Sequence, residues 1–201
     1  MQIRISREPL EQARQIIVDA KARCAEIDAR KEALPPIEEY KDGQFAFMNR
    51  QNEIAGMKAE KWQIIDEGTE ALTRLRYQSL TSLEDQESMK SEDLENADYA
   101  LLRDGLIETP DELNRLLGKN DNLAFARAAK KYATKRNWAG FDTHVNAYQT
   151  MAQVVRNFVN TWFNMADIAI KNLDGLMAMQ ISNEEELNRM AQAHGVIQFM
   201  E

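Results

Sequence analysis

The longest regular pattern of apolar residues along the chain lies between residues 141 and 173. Apolar side chains recur there at alternating spacings of four and three, which keeps one side of a helix against its neighbours. The stripe consists of Phe141, Val145, Tyr148, Ala152, Val155, Val159, Trp162, Ala166, Ala169 and Leu173. The pattern predicts one long helix over about residues 140–173, packed as in coiled coils and helical bundles.

The other sides of this helix are also unusual. Further apolar residues such as Met151 and Phe158 make more than half of its circumference apolar, and between residues 143 and 170 only Arg156 and Asp167 are charged. Neutral amides and hydroxyls fill the polar side, which suits a surface that other protein partly covers. We therefore expect other helices of the same chain, or in part a second subunit, to enclose this helix.

The remainder of the chain also favours helix, because it has only 8 glycines and 4 prolines among 201 residues. A second stripe with four-three spacing predicts a helix over residues 9–34, which Pro35 and Pro36 end. A third, less regular pattern predicts a long helix over residues 45–80. The predicted fold is all-α: an elongated helical bundle built around the long central helix, with antiparallel neighbours.

Short helices are expected on both sides of the central helix. Thr109, followed by Pro110 and two acidic residues, has the sequence of a capped helix start. A further helix is expected over residues 122–135. Ser182 and Glu185 form the pattern of a capping box, which predicts the start of a last helix.

One stretch of like charge is a candidate boundary within the chain. Residues 84–98 contain seven acidic residues and a single lysine, so that mutual repulsion and low hydrophobicity favour a connector. We interpret residues 1–201 as a single helical domain. The acidic connector can divide it into two sub-lobes, a long helical hairpin at residues 1–83 and a helical bundle at residues 91–201.

Apolar segments occur near both ends of the printed sequence. Ile3 and Ile5 alternate with polar residues, which fits a short strand or an extended arm that pairs with another subunit, but the sequence shows no partner strand. The other segment is the apolar tail Val196, Ile197, Phe199 and Met200. We expect this tail to fold back on the bundle, and docking on a neighbouring molecule is the alternative.

Basic and aromatic residues cluster together between residues 127 and 138. The cluster consists of Arg127, Lys130, Lys131, Tyr132, Lys135, Arg136 and Trp138. On a helix these charges project as a patch that can hold an anionic partner. A solvated or internally paired face is the first interpretation, because the acidic connector is a complement within the chain. An acidic protein surface is the second and a nucleic acid the third.

Residues that carry chemistry are few. Cys24 is the only cysteine, so the chain has no internal disulfide, and the helical stripe in which it lies predicts a buried, unreactive thiol. His144 and His194 do not have the spacing of metal ligands, and there is no glycine-rich phosphate loop or nucleophile pattern. We expect a protein that is not an enzyme and that uses no cofactor and no metal.

The net charge and the hydropathy of the chain bear on its expected partners and location. The formal net charge of -8 argues against general affinity for nucleic acid or for anionic membranes. No apolar run fits a signal peptide or a membrane span, so a cytoplasmic protein is expected.

The expected function is protein-protein interaction or assembly. In general style the chain looks like small helical structural, scaffold and adaptor proteins, including those of phage and bacterial assemblies, without a motif that carries the likeness. A homo-oligomer is the expected state. The alternatives are an acidic inhibitor or decoy that binds a nucleic-acid-processing enzyme, and an enzyme or ligand carrier with a pocket between helices.

Overall fold

The structure of the protein is a computed structural model that describes residues 3–36, 43–90, 94, 96–120, 122–195 and 197–200. The helices are α1 (Glu8–Glu32), α2 (Gly43–Ser88), α3 (Ala97–Arg103), α4 (Pro110–Lys119), α5 (Leu123–Lys135), α6 (Asp142–Lys171), α7 (Leu176–Ser182) and α8 (Glu186–His194). The strands are β1 (Ile3–Ser6) and β2 (Ile197–Met200). The prediction of an all-α helical bundle is confirmed. None of the described helices is long and apolar enough to cross a membrane.

The chain forms two compact units, each assembled from separate parts of the sequence. The first unit comprises Met1–Arg7, Tyr77–Thr161 and Asn188–Glu201, and the second comprises Glu8–Arg76 and Trp162–Leu187. Helices α2 and α6 therefore contribute residues to both units. The acidic segment 84–98 falls inside the first unit.

The stripe predicted for α6 supplies core residues to both units. All stripe residues from Phe141 to Ala169 are buried, and Val155 in the first unit and Trp162 in the second have no exposed surface. Leu173 follows the end of α6 and is half-buried. The helix begins and ends within two residues of the predicted bounds, because the periodic pattern of apolar residues continues through its whole length.

The other sides of α6 are less covered than the sequence suggested. Phe158 is buried, but Ile168 is 56% exposed, and the neutral residues Gln149, Gln153 and Asn157 are exposed. Helices of the same chain therefore do not cover these residues, and cover by a second subunit stays a prediction. Amide side chains stay hydrated at a surface without cost, so a low density of charge does not by itself indicate burial.

The second unit contains an antiparallel pair formed by α1 and the first part of α2. Ion pairs join Arg23 to Glu67 with a nitrogen–oxygen distance of 3.6 Å and Asp28 to Lys61 at 2.5 Å. Since the residue numbers rise in one helix as they fall in the other, the two helices run in opposite directions. The last turns of α6 pack on this pair.

The contacts of α6 in the second unit fix its direction. Gly68 lies against Ile170, where an added Cβ would come within 2.9 Å of the isoleucine side chain, so the glycine permits the close approach of α2 and α6. The Trp162 Nε1–H donates to the carbonyl oxygen of Leu10 at 3.0 Å, and Cys24 and Ile170 line one cavity. Helix α1 therefore runs in the same direction as α6, and α2 is the antiparallel neighbour.

In the first unit the two ends of the described chain pair as a parallel sheet. Ile3 pairs with Ile197 and Ile5 with Phe199, and the two isoleucines of β1 are buried. Strand β2 is the partner that sequence reasoning did not find for β1. The tail thus folds back on its own chain.

Several element boundaries differ from the predictions. Helix α2 continues to Ser88 rather than ending near residue 80, and α7 was not predicted. The capping box at Ser182 is wrong, because Ser182 is the last residue of α7 and the side chain of Asn183 accepts from the Glu185 N–H at 3.1 Å. The cap at Thr109 is confirmed, since its hydroxyl accepts from the Glu112 N–H at 3.2 Å.

Candidate interaction surface

Two members of the basic cluster hold elements of the first unit together. The Arg127 guanidinium donates to the carbonyl oxygen of Glu87 at 2.7 Å, which ties α5 to the end of α2. Lys130 forms an ion pair with Asp142 at 2.5 Å, which ties α5 to the start of α6. These side chains therefore have structural partners within the chain.

Arg136 has three partners in the same unit. Its guanidinium donates to the carbonyl oxygen of Gly105 at 2.9 Å and lies over the rings of Tyr132 and Trp138, 4.9 and 5.6 Å from their centroids. The aromatic residues of the cluster are thus occupied by an arginine of the chain. A base would have to displace this contact in order to stack on them.

All five basic residues of the cluster are exposed, and Lys131 and Lys135 lie one turn apart on α5. These two lysines line a shallow depression of about 240 Å³ together with Tyr99 and Arg103. Nucleic-acid binding uses several contacts between cations and phosphates, and the two lysines and one arginine of this depression are few by comparison. The cluster is therefore a weak candidate for a site that holds a long anionic partner.

The acidic segment is also used within the first unit. Glu87 forms an ion pair with Arg156 of α6 at 2.5 Å, and Asp98 accepts from the side chain of Asn120 at 2.8 Å. Glu84 and Asp85 are exposed. Residues 91–93 and 95 lie outside the described part of the chain, so the acidic inhibitor stays a prediction.

The apolar tail is held by contacts in the first unit. Phe199 is half-buried, with its ring centroid 6.5 Å from that of Phe158 and the Arg7 guanidinium 5.5 Å from its centroid. Ile197 is half-buried and Met200 is 41% exposed. Val196 lies outside the described residues.

The single cysteine lies inside the second unit. Cys24 is buried, and burial raises the pKa of its thiol, an effect that the positive charge of Lys61 partly opposes. A buried thiol that resists ionisation is a poor nucleophile. Within the described residues, no group of three or more histidine, cysteine or acidic residues could hold a metal ion.

The beginning of α2 differs from every surface described above, because α1 does not reach it. The ion pairs between the two helices place the end of α1, Glu32, opposite about residue 58 of α2. Helix α2 begins at Gly43, so about four turns of α2 lie beyond the end of α1. Among the described side chains of residues 45–57, only that of Ala46 is buried.

Large apolar side chains are exposed along this part of α2, and one more, Trp62, is exposed in the part that α1 reaches. Phe45 is 75% exposed, Met48 57% and Trp62 66%, while Phe47 is 45% exposed. Six residues share one side of the helix at spacings of three and four, and we name them the α2 stripe: Phe45, Met48, Asn52, Ala55, Ala59 and Trp62. All six are exposed, and none of them carries a charge.

Sequence reasoning missed the α2 stripe. The less regular apolar pattern that predicted this helix includes Ile54, Met57 and Ile65, which are half-buried in the structure, but also Trp62, which faces solvent. The available signal was the spacing of three and four from residue 45 to residue 62. The signal is weak because three of the six positions hold an asparagine or an alanine rather than a large apolar residue.

Among the described residues, the α2 stripe and the basic cluster are two candidate surfaces for binding. The stripe can bury aromatic and thioether side chains against another apolar surface, whereas three of the five cations in the cluster already have partners in their own unit. Comparisons with protein-family models, with curated proteins and with solved structures give no match for this chain.

Proposed function

We propose that the protein is a non-enzymatic helical assembly protein, a structural, scaffold or adaptor component, that binds other protein through the α2 stripe. The observation that carries the proposal is the exposure of Phe45, Met48 and Trp62 along one uncharged side of α2, the first two of them beyond the end of α1. Exposed apolar side chains that lie together on one helix side are typical of interaction sites.

The composition of the stripe supports this function. Aromatic residues and methionine are enriched at protein interfaces, and charged residues are depleted at the centre of such interfaces. The side of an ordinary solvent-exposed helix carries lysine and glutamate instead. Because the stripe has no charge, a partner could cover it without removing water from an ionised group.

Other surfaces support a protein partner better than a nucleic acid. Arg127, Lys130 and Arg136 are engaged within the first unit, and the chain has a formal net charge of -8. Binding to a phosphate backbone would have to overcome this charge with few available cations. We include copies of the same chain among the partners.

The test compares two single substitutions on α2. Trp62→Glu places a charge in the stripe, and Tyr77→Glu is the matched control, because Tyr77 is a 72% exposed aromatic residue of the same helix outside the stripe. Both sites are exposed and glutamate is a good helix former, so we expect both variants to fold. Circular dichroism would check the helix content.

The expected result is a loss of association that is specific to the stripe. Trp62→Glu should lower the amount of every protein that cross-links to or co-purifies with the chain from its host, and Tyr77→Glu should retain the wild-type amount. Equal retention by both folded variants would overturn the proposed function. So would equal loss in both, because the stripe would then have no special part.

A further inference from the structure

We infer that the α2 stripe binds the same stripe of a second copy of this chain, with the two helices antiparallel. This inference rests on the proposed function and names its partner. The reason for a second copy is that the stripe complements itself. Its large residues lie at both ends, and its smallest residues lie between them.

The antiparallel register follows from the spacing of the stripe. With the two-fold axis between Asn52 and Ala55, Phe45 lies opposite Trp62 of the second copy, and Met48 lies opposite Ala59. Asn52 then lies opposite Ala55. The layer at each end of the seam is then a pair of large aromatic rings. Every other layer sets a larger residue against an alanine, and such alternation of large and small residues packs without voids.

A parallel arrangement packs this stripe less well. It would place Ala55 on Ala55 and Ala59 on Ala59 in adjacent layers, while the Trp62 pair next to them would hold the helices apart. The two alanine layers would then leave a void, which costs dispersion contacts.

The residues beside the stripe allow two copies to approach. The adjacent positions include Asn49, Gln51, Gly56 and Gln63, which are neutral, and Lys58, which is exposed. In the antiparallel register Lys58 lies near Gln51 of the second copy rather than near another lysine. The interface therefore brings no like charges together.

The area that this contact buries is small but sufficient. With aromatic and methionine side chains of roughly 150–250 Å² each, the exposed fractions of Phe45, Met48 and Trp62 amount to about 400 Å² per copy. With the alanines and amides, two copies that covered all of this exposed area would bury about 1,000 Å² together, near the lower limit for a specific interface. We therefore expect a reversible dimer with a dissociation constant on the order of micromolar.

The first measurement is the molar mass of the full chain by light scattering, from well below to well above micromolar concentration. We expect a monomer at the low end and a dimer at the high end. Trp62→Glu should remain monomeric throughout, and Tyr77→Glu should dimerise like the wild type. A chain that is monomeric at every concentration, or a dimer that Trp62→Glu leaves unchanged, overturns the inference.

The second measurement tests the register. A mixture of two single-cysteine variants, Cys24→Ala/Asn52→Cys and Cys24→Ala/Ala55→Cys, should form under mild air oxidation intermolecular disulfides that join residue 52 of one copy to residue 55 of the other, as peptide mass spectrometry would show. Disulfides that join 52 to 52 and 55 to 55 indicate a parallel pair and would refute the register. Gln12→Cys and Asp111→Cys, at exposed positions outside the stripe, control for random collision.

The two proposals fail in different ways. Suppose that the wild-type chain is a monomer, that Trp62→Glu loses host partners and that Tyr77→Glu retains them. The inference of a second copy as the partner is then wrong, and the proposed function stands. If neither self-association nor any host partner depends on Trp62, both are wrong.

Discussion

Two adjacent valines can test which side of α6 faces the core. Val155 is fully buried and Val154 is half-buried, and both lie in the first unit in the middle of the same helix. Replacing each by alanine removes the same two methyl groups and changes the intrinsic helix propensity by the same amount. The difference between the two variants therefore reports the environment of the side chain alone.

The expected magnitudes follow from this burial. Val155→Ala loses about 1.6 kcal/mol from two buried methyl groups and about 0.5–1 kcal/mol from the cavity that remains, while the better helix former returns about 0.5 kcal/mol. The free energy of unfolding should therefore fall by about 2 kcal/mol. Val154→Ala loses about half the transfer term and creates no closed cavity, so its cost should be below about 0.5 kcal/mol.

Urea denaturation followed by far-ultraviolet circular dichroism measures both values. It should be carried out at a concentration below that of self-association, so that subunit binding does not add to the apparent stability. We expect the transition of Val155→Ala at lower urea with an unchanged slope. Equal costs for the two variants, or a larger cost for Val154→Ala, would show that the side of α6 assigned to the core is wrong.

Three further predictions concern single contacts. Removing the Arg156–Glu87 ion pair should show a coupling energy of about 1 kcal/mol in a double-mutant cycle with alanine, and a coupling near zero would contradict its role in joining α6 to α2. Thr109→Ala should lower the free energy of unfolding by about 1 kcal/mol while Thr109→Ser lowers it much less, and equal effects would refute the cap. Because burial raises the pKa of Cys24, its favourable contribution to stability is present below the unfolded pKa and is lost as pH rises through the folded pKa. A thiol reagent at mildly alkaline pH should therefore label native Cys24 much more slowly than the unfolded chain, and equal rates would contradict its burial.

Local patterns in the sequence predicted most of the helices because they depend on nearby residues. The α6 stripe and the cap at Thr109 involve residues within a few turns of each other, and both are confirmed. The pairing of Ile3 with Ile197 could not be predicted, because two four-residue strands carry little information and their partner is nearly the whole chain away. Helix α2 continues to Ser88 in a segment whose local charge favours a connector, and Glu87 of this segment pairs with Arg156, which is too distant in the sequence for a local pattern to reveal.

The α2 stripe shows why a surface is harder to predict than a helix. Periodicity places Trp62 on one side of α2 and Ile64 on another, but both sides are apolar, and the sequence of α2 alone does not say which side another helix covers. The length of α1 decides the question for the first turns, since α1 ends at Glu32 before Pro35 and Pro36 and so reaches only about residue 58 of α2. A longer α1 would give the inner side a partner and would still leave Trp62 exposed. The exposure of the α2 stripe therefore does not depend on the length of α1, because Trp62 is exposed in a part of α2 that α1 already reaches. Lengthening α1 should leave self-association through the stripe unchanged, as light scattering would show.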